Sequence, residues 1–215
     1  MTLSKRDKVF LVFAAIFVTN AIVAELIGGK LFALGPFVLS MGILPWPIVF
    51  LATDLINEYF GKQGVKFLTY ITIALVSITF ILLNISMLIP AADISPVSNS
   101  AYIEVFSQST WIIVGSLIAF LFAQLIDISV FWFFKNRTGD KKLWLRATGS
   151  TAVSQLIDSF VIIGIAFYLP GKVSFIDFMN IATSNYSFKL IVAIASTPLV
   201  YLGHYSISRY LRSEK

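Results

Sequence analysis

Apolar residues run along this chain in blocks too long for a soluble core. From Val9 to Ile27 the run is broken only by Thr19, Asn20 and Glu25. Comparable blocks lie within Pro36 to Phe60, from Phe67 to about Ile89, from Thr110 to Phe134, from about Ala147 to Leu169 and from about Tyr186 to Ser208. A helix needs about 20 such residues to cross the hydrocarbon of a bilayer. The pattern therefore predicts an all-α membrane protein, a bundle of six transmembrane helices. Pro90 to Ser109 is the one long polar connection, with Pro, Asn and Ser marking turns. No segment is long enough to form a separate soluble domain, so residues 1–215 are expected to form a single transmembrane domain.

The approach to the second block is irregular. Gly28, Gly29, Gly35, Pro36, Gly42, Pro45 and Pro47 crowd it. Non-helical backbone at membrane depth is tolerated only where protein buries it or a water-filled cavity solvates it, and transporter sites often use such segments. Residues 28–47 are expected to be either an outer lid or re-entrant segment beside a cavity, or an ordinary outer loop leading into a short helix.

Composition supports the membrane reading. Hydrophobic residues make up 58% of the chain and charged residues 13%, against roughly 45–50% and 25% in soluble domains. Lys5, Arg6 and Lys8 precede the first block, but that block exceeds the 7–15 residues of a usual signal-peptide core. Ile22 would occupy position minus three if cleavage followed Ala24, so the first block reads as a retained span. With both termini inside, thirteen Lys and Arg residues fall in cytoplasmic segments, and only Lys30 and Lys172 fall outside. That asymmetry orients the bundle N-in and C-in. The net charge of +5 is scattered in short clusters between apolar runs, which suits anionic lipid headgroups and not nucleic acid. Cysteine is absent, so disulfides and thiolate metal sites are excluded.

The polar residues inside the spans carry the candidate chemistry. A charge at a helix centre costs about 2.5–3.5 kcal/mol on insertion scales, so Glu25, Asp54, Asp127, Asp158 and Lys189 should face a cavity or a partner. Glu58 lies close enough to the cytoplasmic surface to be read as solvated. Asp54, Asn57 and Glu58 share a helix face, and Thr151, Gln155, Asp158 and Ser159 form a second polar stripe. Asn185 and Lys189 form a third. Asn20 and Glu25 are about 140° apart on an ideal helix, so one cavity takes both only if the helix is broken or tilted. Glu25 and Lys189 both fall near the outer surface and are candidates to pair. Gln124-Leu-Ile-Asp127 recurs as Gln155-Leu-Ile-Asp158, which places two similar polar faces on neighbouring helices. His204, the only histidine, reads as packing or a solvated terminus.

Two stretches resemble a known family. The residues from Ile48 through Thr53-Asp54-Leu-Ile-Asn57-Glu58-Tyr-Phe-Gly61-Lys62 look like one signature of the queuosine precursor transporters, also called the vitamin uptake transporter family. Arg146-Ala-Thr-Gly-Ser150-Thr151-Ala-Val-Ser-Gln155-Leu-Ile-Asp158-Ser159-Phe160, followed by Ile165-Ala166-Phe167, is similar to the second. Thr19-Asn20 and Tyr186-Ser-Phe188-Lys189 are shorter matches. The resemblance implies a six-span importer, in the bacterial inner membrane, of 7-deazaguanine bases bearing a 7-cyano or 7-aminomethyl group. It implies secondary or facilitated transport, no cofactor, and a small heterocyclic substrate and the lipid bilayer as partners; a homo-oligomer is compatible with it.

By analogy with that family, Asn20, Asp54, Asn57, Gln155, Asp158 and Lys189 are substrate-binding candidates. Glu25 joins them from its chemistry and position. The ligand chemistry fits, since a carboxylate accepts paired N–H donors from a guanine edge and amides read its carbonyl and ring nitrogen. Trp46, Trp111 and Tyr186 offer flat faces for the ring. Two other readings remain open. One is a substrate-binding subunit of an ATP-driven vitamin importer. The other is an intramembrane aspartyl-type enzyme using Asp127 and Asp158. The chain has no Walker A loop and no common hydrolase motif, so neither ATP hydrolysis nor those hydrolase mechanisms have their parts.

Overall fold

The computed structural model describes residues 3–35, 37–107, 110–139 and 141–212. Pro36, Gln108, Ser109 and Lys215, which figure in the expected spans, polar connection and charge count, lie outside the described residues. In chain order the elements are α1 (Lys5–Ile27), β1 (Leu31–Leu34), β2 (Phe37–Ser40), α2 (Trp46–Met87), α3 (Asn99–Phe106), α4 (Thr110–Thr138), α5 (Leu143–Ile163) and α6 (Phe175–Arg212). A 3₁₀ turn at Met41–Ile43 leads into α2, and a π-helical turn at Gly164–Tyr168 extends α5. Among the described residues, five helical stretches are long and apolar enough to cross a membrane.

The long helices bury small or polar residues among their inward positions and leave large apolar residues exposed. On α1, Phe17, Ala21 and Ala24 are buried at helical spacing, while Leu11, Val12, Ile16 and Val23 are exposed. Lipid tails are as apolar as leucine, so that outer face has its natural solvent in hydrocarbon. The helix starts where its free amides find acceptors. Ser4 Oγ accepts the Asp7 backbone N–H at 3.1 Å, and Asp7 Oδ2 accepts the Ser4 backbone N–H at 3.2 Å. This reciprocal cap satisfies donors that a helix N-terminus otherwise leaves open.

The segment after α1 corrects a purely α-helical reading. β1 and β2 pair antiparallel, Leu31 opposite Ser40 and Leu34 opposite Phe37. So short a hairpin depends on packing for its stability. Leu39 is buried, the Phe37 ring meets Phe188 of α6 at 5.7 Å, and Ser40 Oγ donates to the Gly28 carbonyl at 2.6 Å. A Cβ on Gly42 would fall 2.7 Å from the Ala24 carbonyl, so the exit of the hairpin sits directly on the end of α1.

The 42-residue α2 is two limbs divided at Gly61, whose φ of 75° and ψ of −178° are not helical. A Cβ on Gly64 would lie 3.6 Å from Ile56 Cγ2, although a straight helix separates residues eight apart by about 12 Å. The chain therefore turns sharply at Gly61, and Ile56 packs in one apolar cluster with Val65 and Leu68. This left-handed φ is the one glycine adopts without strain.

The last helix starts earlier than hydropathy indicates. It opens at Phe175, eleven positions before Tyr186, after Ser174 Oγ accepts the Asp177 backbone N–H at 3.1 Å. Asp177, Asn180, Thr183, Ser184 and Asn185 dilute the apolar signal there without opposing the helix. Lys189 is consequently the fifteenth residue of α6.

Candidate substrate cavity

Three polar helix faces converge in the bundle. Trp46, Phe50 and Thr53 come from the first limb of α2, Phe120, Ala123, Gln124 and Asp127 from α4, and Thr151, Ser154, Gln155 and Asp158 from α5; together they line one cavity. The repeated Gln-x-x-Asp pattern explains the arrangement. Spacing of i, i+3 puts both polar groups of each copy on one face, and both copies border the same space. Ser154 Oγ donates to Asp127 Oδ1 at 3.3 Å, and Gln124 Nε2 reaches Thr53 Oγ1 at 3.5 Å. Thr53 directs its own hydroxyl hydrogen to the Val49 carbonyl at 2.9 Å, leaving an oxygen that can accept from Gln124. Trp46 caps the space, stacked on Phe50 with ring centroids 5.8 Å apart and tilted against Phe120 at the same separation.

The cavity volume is about 10 Å³, room for about one water. Pockets for small heterocycles span roughly 300–1,000 Å³. This conformation is therefore closed around the site, and admitting a ring requires its walls to separate.

Of the residues expected to bind substrate, Trp46, Gln155 and Asp158 line the cavity. Lys189 adjoins it, since its Nζ donates to Asp158 Oδ2. Lys189 of α6 pairs with Asp158 of α5. Glu25 lies within electrostatic reach of both, with Ser116 beside its carboxylate. Asp54 and Asn57 are buried at 4% and 0% exposure but are not on the lining. Asn20 is not on the wall, and its Nδ2 donates to the Ile16 carbonyl of its own helix at 2.8 Å. Trp111 is exposed and Tyr186 is off the wall, so neither provides a ring face here. Gln124, Thr53, Ser154 and the aromatic pair Phe50 and Phe120 were not singled out as ligands; the echo of Gln124 and Asp127 in Gln155 and Asp158 was the available signal.

One helical turn beyond Asp54 and next to Asn57 on α2, Glu58 anchors an ion-pair clamp. Arg146 Nε and Nη2 donate to the two carboxylate oxygens of Glu58 at 3.0 and 2.9 Å, and Lys135 Nζ donates to Glu58 Oε2 at 3.1 Å. Arg146 Nη1 completes the set with the carbonyls of Gly139 at 3.0 Å and Lys141 at 3.2 Å. Glu58 is therefore not a solvated surface acid: its side chain is 8% exposed and that of Arg146 1%. On the far side of the clamp a wider cavity of about 450 Å³ is lined by Glu58, Tyr59, Arg146, His204, Ser208 and Arg212. The Tyr59 hydroxyl lies 3.0 Å from His204 Nδ1 and donates to the His204 carbonyl at 2.9 Å, which ties α2 to α6. In order, α2 presents the closed cavity, two buried polar residues, the clamp and the open cavity.

Residues 40–203 match the family described as "Putative vitamin uptake transporter". The chain is 32% identical to the "Probable queuosine precursor transporter" of Bacillus subtilis (strain 168), over 81% of this chain and 75% of that protein. It is 29% identical to the protein of the same name from Haemophilus influenzae, over 77% and 70%. It is 27% identical to the "Queuosine precursor transporter" of Escherichia coli (strain K12), over 72% and 67%. No solved structure matches.

Proposed function

Because the chain belongs to the vitamin uptake transporter family, a family of multi-pass membrane transporters and not of enzymes, we propose that it imports a queuosine precursor through the bacterial inner membrane. The cargo would be 7-cyano- or 7-aminomethyl-7-deazaguanine, carried by secondary or facilitated transport. The two limbs of α2, counted separately, bring the spans to six, with both termini in the cytoplasm.

The observation that supports this reading best is the convergence of Gln124, Asp127, Gln155 and Asp158 on one closed cavity capped by Trp46. Asp158 suits the paired N–H donors of a guanine edge, and Gln155 and Gln124 suit its carbonyl and ring nitrogen. Trp46 supplies a ring face. Lys189 holds Asp158 until a ligand competes for the carboxylate, and Glu25 offers the ammonium a neighbouring acid. The Glu58–Arg146–Lys135 clamp closes the path from this cavity to the inner one. Its opening delivers the base to the cytoplasm.

The test is rescue. A bacterium unable to make 7-deazaguanines, but retaining the later steps of queuosine synthesis, should recover queuosine in its tRNA when this protein is expressed with low external precursor. Recovery should be lost in Asp158→Asn and Gln155→Ala while the protein still inserts. The purified protein should be stabilised by the same bases, because binding to the native state raises its melting temperature. If unrelated vitamins stabilise it and both 7-deazaguanines fail, the cargo is wrong; if rescue needs a co-expressed ATPase, the binding-subunit reading replaces autonomous transport.

A further inference from the structure

Bordering the closed cavity is a group of buried polar atoms, four of them acceptor oxygens, that have no partner. Asp54 Oδ1, both amide atoms of Asn57, Gln124 Oε1 and Asp127 Oδ2 are buried and make no hydrogen bond. All four residues are at most 5% exposed. Asp54 and Asn57 are i, i+3 on α2, and Gln124 and Asp127 are i, i+3 on α4, so each pair shares a face. Those faces meet: Gln124 reaches Thr53, and Asp54 is within electrostatic reach of Asp127 and of Glu58. No basic side chain is paired with either aspartate among the described ion pairs, since Lys189 takes Asp158 while Lys135 and Arg146 take Glu58.

Buried charge in a membrane interior needs a compensating charge. The clamp holds two cations and one carboxylate, a surplus of one positive charge. Asp54 and Asp127 together bring two negative charges, so one further monovalent cation makes the whole group neutral. A proton on one carboxylate would meet that oxygen and the single acceptor to which it donates, leaving two of the four unpartnered oxygens unmet. A small metal cation takes several oxygens at once, from carboxylates, amides and hydroxyls alike.

We propose that Asp54, Asn57, Gln124 and Asp127 form a sodium-binding site bordering the closed cavity. Thr53 and Ser154 contribute hydroxyl oxygens at its edge. The site deepens the transporter reading, on which its coupling role rests: sodium entering from outside draws α2 and α4 together beneath the cargo, and its departure inward accompanies opening of the clamp.

The site is testable without cargo. Purified protein is melted in choline chloride, KCl, LiCl and NaCl at one ionic strength and one pH. NaCl should raise the melting temperature saturably, by roughly 5–10 °C at about a hundredfold excess over Kd, and KCl and choline chloride should not. Asp54→Asn and Asp127→Asn should lose the response, and the exposed-acid control Glu104→Gln should keep it. Should the aspartate variants fail to fold, Asn57→Ala and Gln124→Ala remain, each expected to weaken apparent sodium affinity about tenfold. Equal melting of the wild type in sodium and choline overturns the site, as does a sodium response that survives all four substitutions. When the melts are repeated at a second pH, a response to pH with none to sodium also overturns it and makes the pair a proton carrier. Because no base is present, these results stand apart from success or failure of the rescue experiment.

Discussion

Replacing Arg146 with methionine should be among the most damaging single changes in this protein. The substitution keeps much of the side-chain volume but removes four hydrogen bonds: two to Glu58, at 3.0 and 2.9 Å, and two to the carbonyls of Gly139 and Lys141, at 3.0 and 3.2 Å. It leaves the Glu58 carboxylate buried with Lys135 as its remaining partner. Breaking a buried ion pair by removing one member costs about 3–5 kcal/mol. The low end applies, near 3 kcal/mol, because Lys135 stays in place and its side chain, 19% exposed, admits some water. At about 2–4 °C per kcal/mol for a chain of this length, the melting temperature should fall by about 6–12 °C. Thermal unfolding in a mild detergent, followed by the loss of monodisperse protein, reads this directly. Lys135→Met, which removes a more exposed partner, should cost only about 0–1 kcal/mol. Combining Arg146→Met with Glu58→Gln should cost less than the sum of the two, by about 2 kcal/mol, since the two side chains interact directly. An Arg146→Met shift below about 2 °C, or strict additivity in that cycle, would refute the clamp as a source of stability.

Three further outcomes follow from the same geometry. Gly61→Ala forces a Cβ into the left-handed region at φ 75° and should cost about 1–3 kcal/mol, read as a lower melting temperature; an unchanged value would show that the chain does not turn there. Cysteines placed singly at Asn99 and Thr138, in a chain that has none, should label from opposite faces of the membrane, and labelling of position 138 from outside intact cells would overturn the orientation. Asp158→Asn and Lys189→Met should each destabilise the protein, while the double variant recovers much of the loss because neither charge is left alone, although base binding stays abolished. Full recovery of binding in that double variant would remove Asp158 from the cavity's chemistry.

What the sequence determined by itself is whatever depends on neighbours along the chain. Membrane residence followed from apolar blocks, because transfer into hydrocarbon is summed locally over about 20 residues. The body of α1 followed from its apolar run, though its start at Lys5 came from the Ser4 cap, and the faces holding Gln124 with Asp127 and Gln155 with Asp158 followed from helical spacing. Even the irregularity before α2 was legible in its Gly and Pro content, though not that it forms a hairpin. The tertiary structure alone decided which polar face meets which. Lys189 and Asp158 are 31 positions apart, and Arg146 and Glu58 are 88 apart; no periodicity reports contacts at such separations. Glu58 reads as solvated because it stands close to the end of an apolar block, and Arg146 stands just before the next one. The bundle buries both by closing α2, α4 and α5 over them. The start of α6 was hidden for a related reason: capping at Ser174 and ordinary helix propensity extend it through residues that hydropathy scores as polar. Hydropathy measures preference for lipid, whereas partners for buried charges are set by packing between helices, which only the folded bundle specifies.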